Sequence, residues 1–190
     1  MAPSVRKSTL PSCVIAGAGP GLGLAIAERY AGEGFTVYAL CPQAELLAFG
    51  TARLRSRGLR VEAVEFNVAE PDVVDCDVLV YNAFVENGQR VNVGDALIWV
   101  NAVVTRMQAK GDGAILFSTF ACAGESVVRA LMQRFAEEGE TFGIRVGMVT
   151  IDGALPTDGT ELASIANMYW DLFFSPDRLY EREVRVRTGG

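Results

Sequence analysis

Seven residues near the amino end have the types and spacing to hold a phosphate. Gly17-Ala18-Gly19-Pro20-Gly21-Leu22-Gly23 follows the apolar run Ser12–Ala16 and opens a helical pattern over Leu22–Ala31. Glycines so placed permit a tight turn, close approach of backbone to a phosphate, and close helix–strand packing. A helix starting there offers free N–H groups and a partial positive charge to a pyrophosphate. Gly17, Gly19, Gly21, Leu22 and Gly23 are therefore the candidate binding residues. The bland alternative is a tight turn that binds nothing.

Other chemistries are excluded by what the chain lacks. There is no histidine, which rules out a Ser-His-Asp triad, a Cys-His pair and any histidine-ligated metal. Cys13, Cys41, Cys76 and Cys122 are scattered without a Cys-x-x-Cys, so no metal site is expected, and they read as small buried residues in a reducing, cytoplasmic compartment. A net charge of -6 and a pI of about 4.8 argue against nucleic-acid or anionic-membrane partners, which reward clustered Lys and Arg. Arg6 and Lys7 before the apolar run Cys13 to Ala27 mimic a signal peptide, but the glycines in that run would break its helix.

The elements that must position the glycine turn alternate along the chain. Strands are expected at Ser12–Ala16, Phe35–Leu40, Arg60–Phe66, Val78–Tyr81, Ala114–Ser118, Ile144–Ile151 and Val184–Arg187. Helices are expected at Leu22–Ala31, Ala44–Arg57, Asp95–Lys110, Ser126–Glu138 and Thr160–Phe174. Apolar strands alternating with helices imply an α/β fold: a Rossmann-like, doubly wound parallel sheet of six to seven strands with helices on both faces. With 50% hydrophobic residues, the 190-residue chain reads as one domain. Residues 1–11 and 188–190 read as loose tails. The Asp95–Lys110 helix is apolar nearly all round, which fits either deep burial in one chain or a subunit interface. A homodimer or homotetramer through helix 95–110, helix 126–138, or both, is expected.

The turn and several later segments resemble the short-chain dehydrogenase/reductase family. Gly17-x-x-x-Gly21-x-Gly23 resembles its cofactor turn. Asp77-Val78-Leu79-Val80-Tyr81-Asn82-Ala83 resembles the fourth strand ending in Asn-Asn-Ala-Gly, and Asn92-Val93-Gly94 resembles the family's helix-borne asparagine. Gly113-Ala114-Ile115-Leu116-Phe117-Ser118-Thr119 resembles the fifth strand, which carries the catalytic serine. Gly143-Ile144-Arg145-Val146 through Asp152-Gly153 resembles the strand before the substrate loop. The stretch from Ile165 to Val184 resembles one bacterial subgroup. The resemblance implies NAD(H) or NADP(H) as cofactor and interconversion of alcohols and carbonyls. It adds Asn67, Val68, Asn82 and Ala83 to the cofactor site, and it assigns Asn92, Ser118 and Thr119 to catalysis.

The chain also departs from the family. Four residues after Tyr30, Tyr38, Tyr81, Tyr169 and Tyr180 stand Gly34, Pro42, Val85, Phe173 and Val184, so the catalytic Tyr-x-x-x-Lys is absent. The only lysines are Lys7 and Lys110. Without a nearby cation a tyrosine keeps a pKa of about 10 and is a poor base at neutral pH. Segments near 70–75, 82–92 and 119–125 are short for the family. Phe84 stands where a glycine is usual, either filling nicotinamide space or plugging a gap. Glu125, Glu86 and Tyr81 are the substitute acid/base candidates, whereas Asp152 and Asp158 suit turns and caps. Leu40-Cys41-Pro42-Gln43 has no acidic residue to repel a 2'-phosphate, which favours NADP over NAD. Two readings follow: an NAD(P)-binding oxidoreductase of reduced form acting on an unknown small molecule, or an inactive scaffold or regulatory subunit that binds a partner or a nucleotide.

Overall fold

The computed structural model describes residues 10–65, 75–82, 93–121, 125–174 and 182–189; the side chains of residues 93–95 are not described. Its strands are β1 (Ser12–Ala16), β2 (Thr36–Cys41), β3 (Val61–Glu65), β4 (Val78–Tyr81), β5 (Gly113–Phe120), β6 (Ile144–Asp152) and β7 (Glu183–Arg187). Its helices are α1 (Leu22–Gly32), α2 (Glu45–Ser56), α3 (Val93–Lys110), α4 (Glu125–Glu140) and α5 (Gly159–Phe174). The seven strands form one parallel sheet in the order β3-β2-β1-β4-β5-β6-β7. This is the doubly wound α/β arrangement expected, with its strand-order reversal between β1 and β4.

Side-chain alternation along the strands builds two apolar layers. Cys13 and Ile15 of β1 face a layer formed with Leu22, Ile26 and Tyr30 of α1 and Leu162, Ile165 and Tyr169 of α5. Val14 and Ala16 face the opposite layer, with Trp99, Val103 and Met107 of α3 and Leu131 and Phe135 of α4. Burial on both faces is why β1, β2 and β4 read as unbroken apolar runs. An aromatic group of Tyr30, Phe35, Trp170 and Phe173 joins α1 to α5, and Arg29 lies over the Trp170 ring. α3 buries Ala96, Trp99, Val100, Val103, Val104 and Met107, whereas Asn101, Thr105 and Arg106 are exposed and Ile98 is 45% exposed. No described helix is long and apolar enough to cross a membrane.

Three boundaries differ from the sequence reading in ways that matter. β5 runs on to Phe120 because its ladder with β6 continues through Thr119↔Thr150 and Phe120↔Ile151. Thr188 is not a loose tail: its N–H donates to Asp152 O at 3.0 Å and its hydroxyl donates to Ala154 O at 2.6 Å. The amino-terminal boundary also moves, since Pro11 O accepts from Thr36 N at 2.9 Å.

Candidate functional site

The glycine turn sits at the carboxyl end of β1, held from both neighbouring strands. Gly17 leaves the strand at φ +81°, a conformation open to glycine at no steric cost. On one side, the N–H groups of Gly17 and Ala18 donate to Leu40 O of β2 at 3.0 and 2.8 Å. On the other, Asn82 at the end of β4 donates its N–H to Ala16 O at 2.8 Å and its Nδ2 to Gly17 O at 3.1 Å.

Each glycine has a separate physical reason. A Cβ at Gly23 would lie 2.8 Å from Ala18 Cα, so the helix packs on the turn more closely than alanine allows. A Cβ at Gly19 would meet nothing within 4 Å, so that position faces open space. Gly21 is the N-cap of α1, and no side chain caps the helix. The helix end therefore keeps its positive partial charge and leaves donors for an anion. Asn82 is 9% exposed, and its Oδ1 is buried without a partner. Such an orphan acceptor costs about 1–3 kcal/mol unless a donor arrives. The open Gly19 and the uncapped helix both fit the phosphates of a dinucleotide.

Ser118 and Thr119 stand near the carboxyl end of β5, level with the end of β4 because Tyr81 pairs with Phe117, and both are 1% exposed. Ser118 faces Tyr169 of α5: burial holds that phenol well above its ordinary range, and the serine hydroxyl offsets part of the shift. Thr119 donates to Phe120 O at 3.3 Å. Asn67, Val68, Ala83 and Asn92 lie outside the described residues, as do Phe84, Glu86 and Tyr180.

The substitute acid/base candidates are engaged elsewhere. Tyr81 is 6% exposed and packs its ring 6.3 Å from that of Phe117. Each of the four described tyrosines is at most 8% exposed. Burial raises the pKa of Tyr30, Tyr38 and Tyr169, the opposite of what a general base needs. Glu125 opens α4 and is paired with both Arg129 and Arg185. Arg129 also pairs with Glu183 at 2.6 Å, and Asp152 lies 3.8 Å from both Arg185 and Arg187. Asp158 caps α5, accepting from the N–H groups of Thr160 and Glu161 at 3.0 and 3.1 Å. Cys13, Cys41 and Cys76 are free and buried. No group of three or more potential metal ligands occurs among the described residues.

Sequence reasoning missed two carboxylates at the β2–β3 side of the turn. Glu65 ends β3 and is the register partner of Cys41, the last residue of β2. Glu45 opens α2 four residues after that strand ends. Both are exposed. Burial pushes the Cys41 thiol up, and these two carboxylates add to the shift. The signal in the sequence was the register between two strands, which no local pattern displays. A cleft of about 370 Å³ touches the turn only at Pro20 and Gly21 and otherwise runs between α1, α2 and α5, within the helix layer.

The strand order, the glycine turn at the reversal point and the uncapped helix behind it define a Rossmann-type α/β fold. Solved structures narrow that to the fold of short-chain dehydrogenases/reductases. A short-chain dehydrogenase from Rhodopseudomonas palustris superposes with a TM-score of 0.80 at 22% identity, over 94% of this chain and 99% of that one. A metagenomic short-chain oxidoreductase in complex with NADP gives 0.74 at 24% identity, over 95% and 98%. A short-chain dehydrogenase from Sphingobium yanoikuyae in complex with NADPH gives 0.75 at 21% identity, over 94% and 87%. No protein-family model matches the sequence, and no curated protein matches it.

Proposed function

We propose that this protein binds a nicotinamide dinucleotide at the Gly17–Gly23 turn and does not carry out alcohol–carbonyl chemistry with a tyrosine–lysine pair. The observation that carries the reading is the uncapped amino end of α1 behind an open Gly19, at the sheet's reversal point. Backbone N–H groups of the turn bind the pyrophosphate, Gly19 admits it, and Asn82 keeps the turn in shape through Gly17 O. The bound dinucleotide supplies hydride-transfer capacity. Asn67, Val68 and Ala83 extend the cofactor site by family resemblance, and Asn92, Ser118 and Thr119 stay with catalysis only on that ground. The buried tyrosines and the ion-paired Glu125 support weak or absent family-type turnover.

The test is titration calorimetry with NADH and NADPH on the wild type and on Gly21→Asp. A Cβ at Gly21 would come no closer than 3.9 Å to Leu162 Cδ1, so the side chain fits. Aspartate there also caps the helix, which preserves stability, while its charge repels phosphate. Binding in the wild type that Gly21→Asp abolishes supports the reading; binding by neither rejects it. Robust, substrate-dependent turnover across a panel of alcohols and carbonyls would overturn the inactive half of the proposal.

A second reading is a subunit that assembles through α3 and α4, where Ile98 and Val127 are 45% and 41% exposed. Sedimentation that finds only a 20.4 kDa species at micromolar concentration would reject it.

A further inference from the structure

α2 carries more apolar surface than its own core contact uses. Its buried side chains are Leu47, Thr51 and Leu54. Leu46 and Phe49 lie outside that stripe, 62% and 84% exposed. α2 already touches α1 at Gly50, where a Cβ would lie 2.1 Å from Leu24 Cδ1, so the contact line has no room for a larger side chain. Helical spacing sets Leu46 one turn before Gly50 and Phe49 one turn before Arg53. Gly50 and Arg53 both line the cleft of about 370 Å³, so the two apolar side chains stand at its lip. Leu24 and Ala25 of α1 floor the cleft, and α5 forms its far wall with small side chains such as the exposed Ala163. The two walls differ in charge. α2 has Glu45 in its first turn but Arg53 and Arg55 in its last, and Arg57 follows. α5 has Glu161 and Asp171 and no basic residue, with Asp158 just before it.

We infer that a second copy of this chain docks on the cleft between α2 and α5 about a two-fold axis, seating Phe49 of each copy in the cleft of the other. Such an axis through the cleft exchanges its walls, so the α2 wall of one copy meets the α5 wall of the other, and each contact is made twice. Basic residues then face acidic ones on both sides of the axis. The partner subunit's Phe49 lies over Ala163, where no side chain beyond Cβ obstructs a ring. Burying Phe49 and Leu46 in this way removes their apolar surface from water. A buried aromatic anchor inside a charged, solvated rim is the arrangement that carries binding energy in protein interfaces. The occupant is a second copy because the knob, the cleft and both signs of charge lie on one face of one chain, the self-complementary set that a two-fold contact requires. This face is opposite α3 and α4, which pack on the other side of the sheet, and it does not depend on what the glycine turn binds.

The experiment is sedimentation velocity across micromolar concentrations for the wild type, Phe49→Glu and Ile98→Glu. The 20.4 kDa wild-type chain should show a reversible monomer–dimer equilibrium. Phe49→Glu should weaken it about a hundredfold or more, because the lost anchor occurs twice. Ile98→Glu, on α3, should leave it unchanged. Both side chains are exposed, so the variants keep the fold, which circular dichroism checks. The pairing itself is read by cross-linking. Phe49→Cys and Ala163→Cys proteins, mixed and treated with a short bismaleimide, should give a heterodimer linked between those two positions, with the wild type as control for native thiols. A wild type that stays monomeric throughout overturns the inference. So does a dimer that survives Phe49→Glu, or a dimer lost in Ile98→Glu and kept in Phe49→Glu. A dimer in which positions 49 and 163 do not cross-link overturns it as well.

Discussion

Alanine at Gly23 and alanine at Gly19 separate what the turn does for folding from what it does for a ligand. At Gly23 the new methyl carbon would lie 2.8 Å from Ala18 Cα, 3.0 Å from Ala18 C and 3.1 Å from Ala18 Cβ. Two of those atoms are backbone, so no rotamer relieves the contact, and the turn or the helix must shift. Overpacking of this kind costs about 1–3 kcal/mol. Alanine returns about 1 kcal/mol through helix propensity. The net expectation is a loss of up to about 2 kcal/mol, which for this size is a fall in Tm of roughly 2–4 °C per kcal/mol. At Gly19 the methyl meets nothing within 4 Å, so stability should hold within about 0.5 kcal/mol. That methyl occupies the space a pyrophosphate would use, and NADH affinity should fall by about tenfold or more. Thermal and urea unfolding, with calorimetry on the same preparations, read both quantities. A Gly23→Ala protein more stable than wild type would mean that the close packing on Ala18 is absent. A Gly19→Ala protein that binds NADH as well as wild type would mean that the turn does not touch the ligand.

Further outcomes follow from the charged and buried groups. Arg129→Met should cost about 1 kcal/mol, because one guanidinium ties α4 to Glu125 and to β7 at Glu183; urea unfolding with no loss of stability would show that the network is only superficial. The hydrogen bond from Arg129 holds the Glu183 carboxyl below its ordinary range. A depressed folded pKa stabilises above the unfolded value of about 4.3 and ceases to stabilise as pH falls through the folded one. Glu183→Gln should therefore be less stable at pH 7 and lose less on acidification below about pH 4.3; parallel curves for the two proteins would reject the assignment. Burial pushes the Cys76 thiol up to about 12 and raises that of Cys13. Peptide mapping after alkylation of the native protein should find both unmodified, and rapid labelling of either would place them outside the core.

The fold was legible because both faces of the sheet are buried, so strand after strand is an apolar run and each helix carries a periodic stripe. All twelve expected elements occur, with ends shifted by at most two residues. At β5 the expected end, Ser118, fell two residues short, because the ladder with β6 carries on through Thr119 and Phe120. Local composition cannot reveal a ladder partner more than 30 residues away. The same blindness hid Glu65, which is set beside Cys41 by strand register. The glycine turn was legible because its chemistry is local: the residues that shape it are the residues that form it. Only Asn82, arriving from β4, required the fold to place it against Gly17.

The glycine turn and the β5–β6 side of the sheet are physically separable, because β4 stands between them. On the β1 side the requirements are backbone shape and a helix end, and a few glycines with Asn82 meet them. On the β5–β6 side a reaction needs a titratable group that is exposed to substrate and free of other partners. There Ser118 and Thr119 are sealed in the strand, and Glu125, the carboxylate at the start of α4, is held by two guanidiniums. Those guanidiniums also bind Glu183 and approach Asp152, so the charges bind α4 and β6 to the edge strand β7. Freeing Glu125 for proton transfer would loosen that edge. Using Glu125 in that way therefore carries a stability penalty, while substitutions at Glu45 and Glu65, both exposed and outside any described ion pair, carry little.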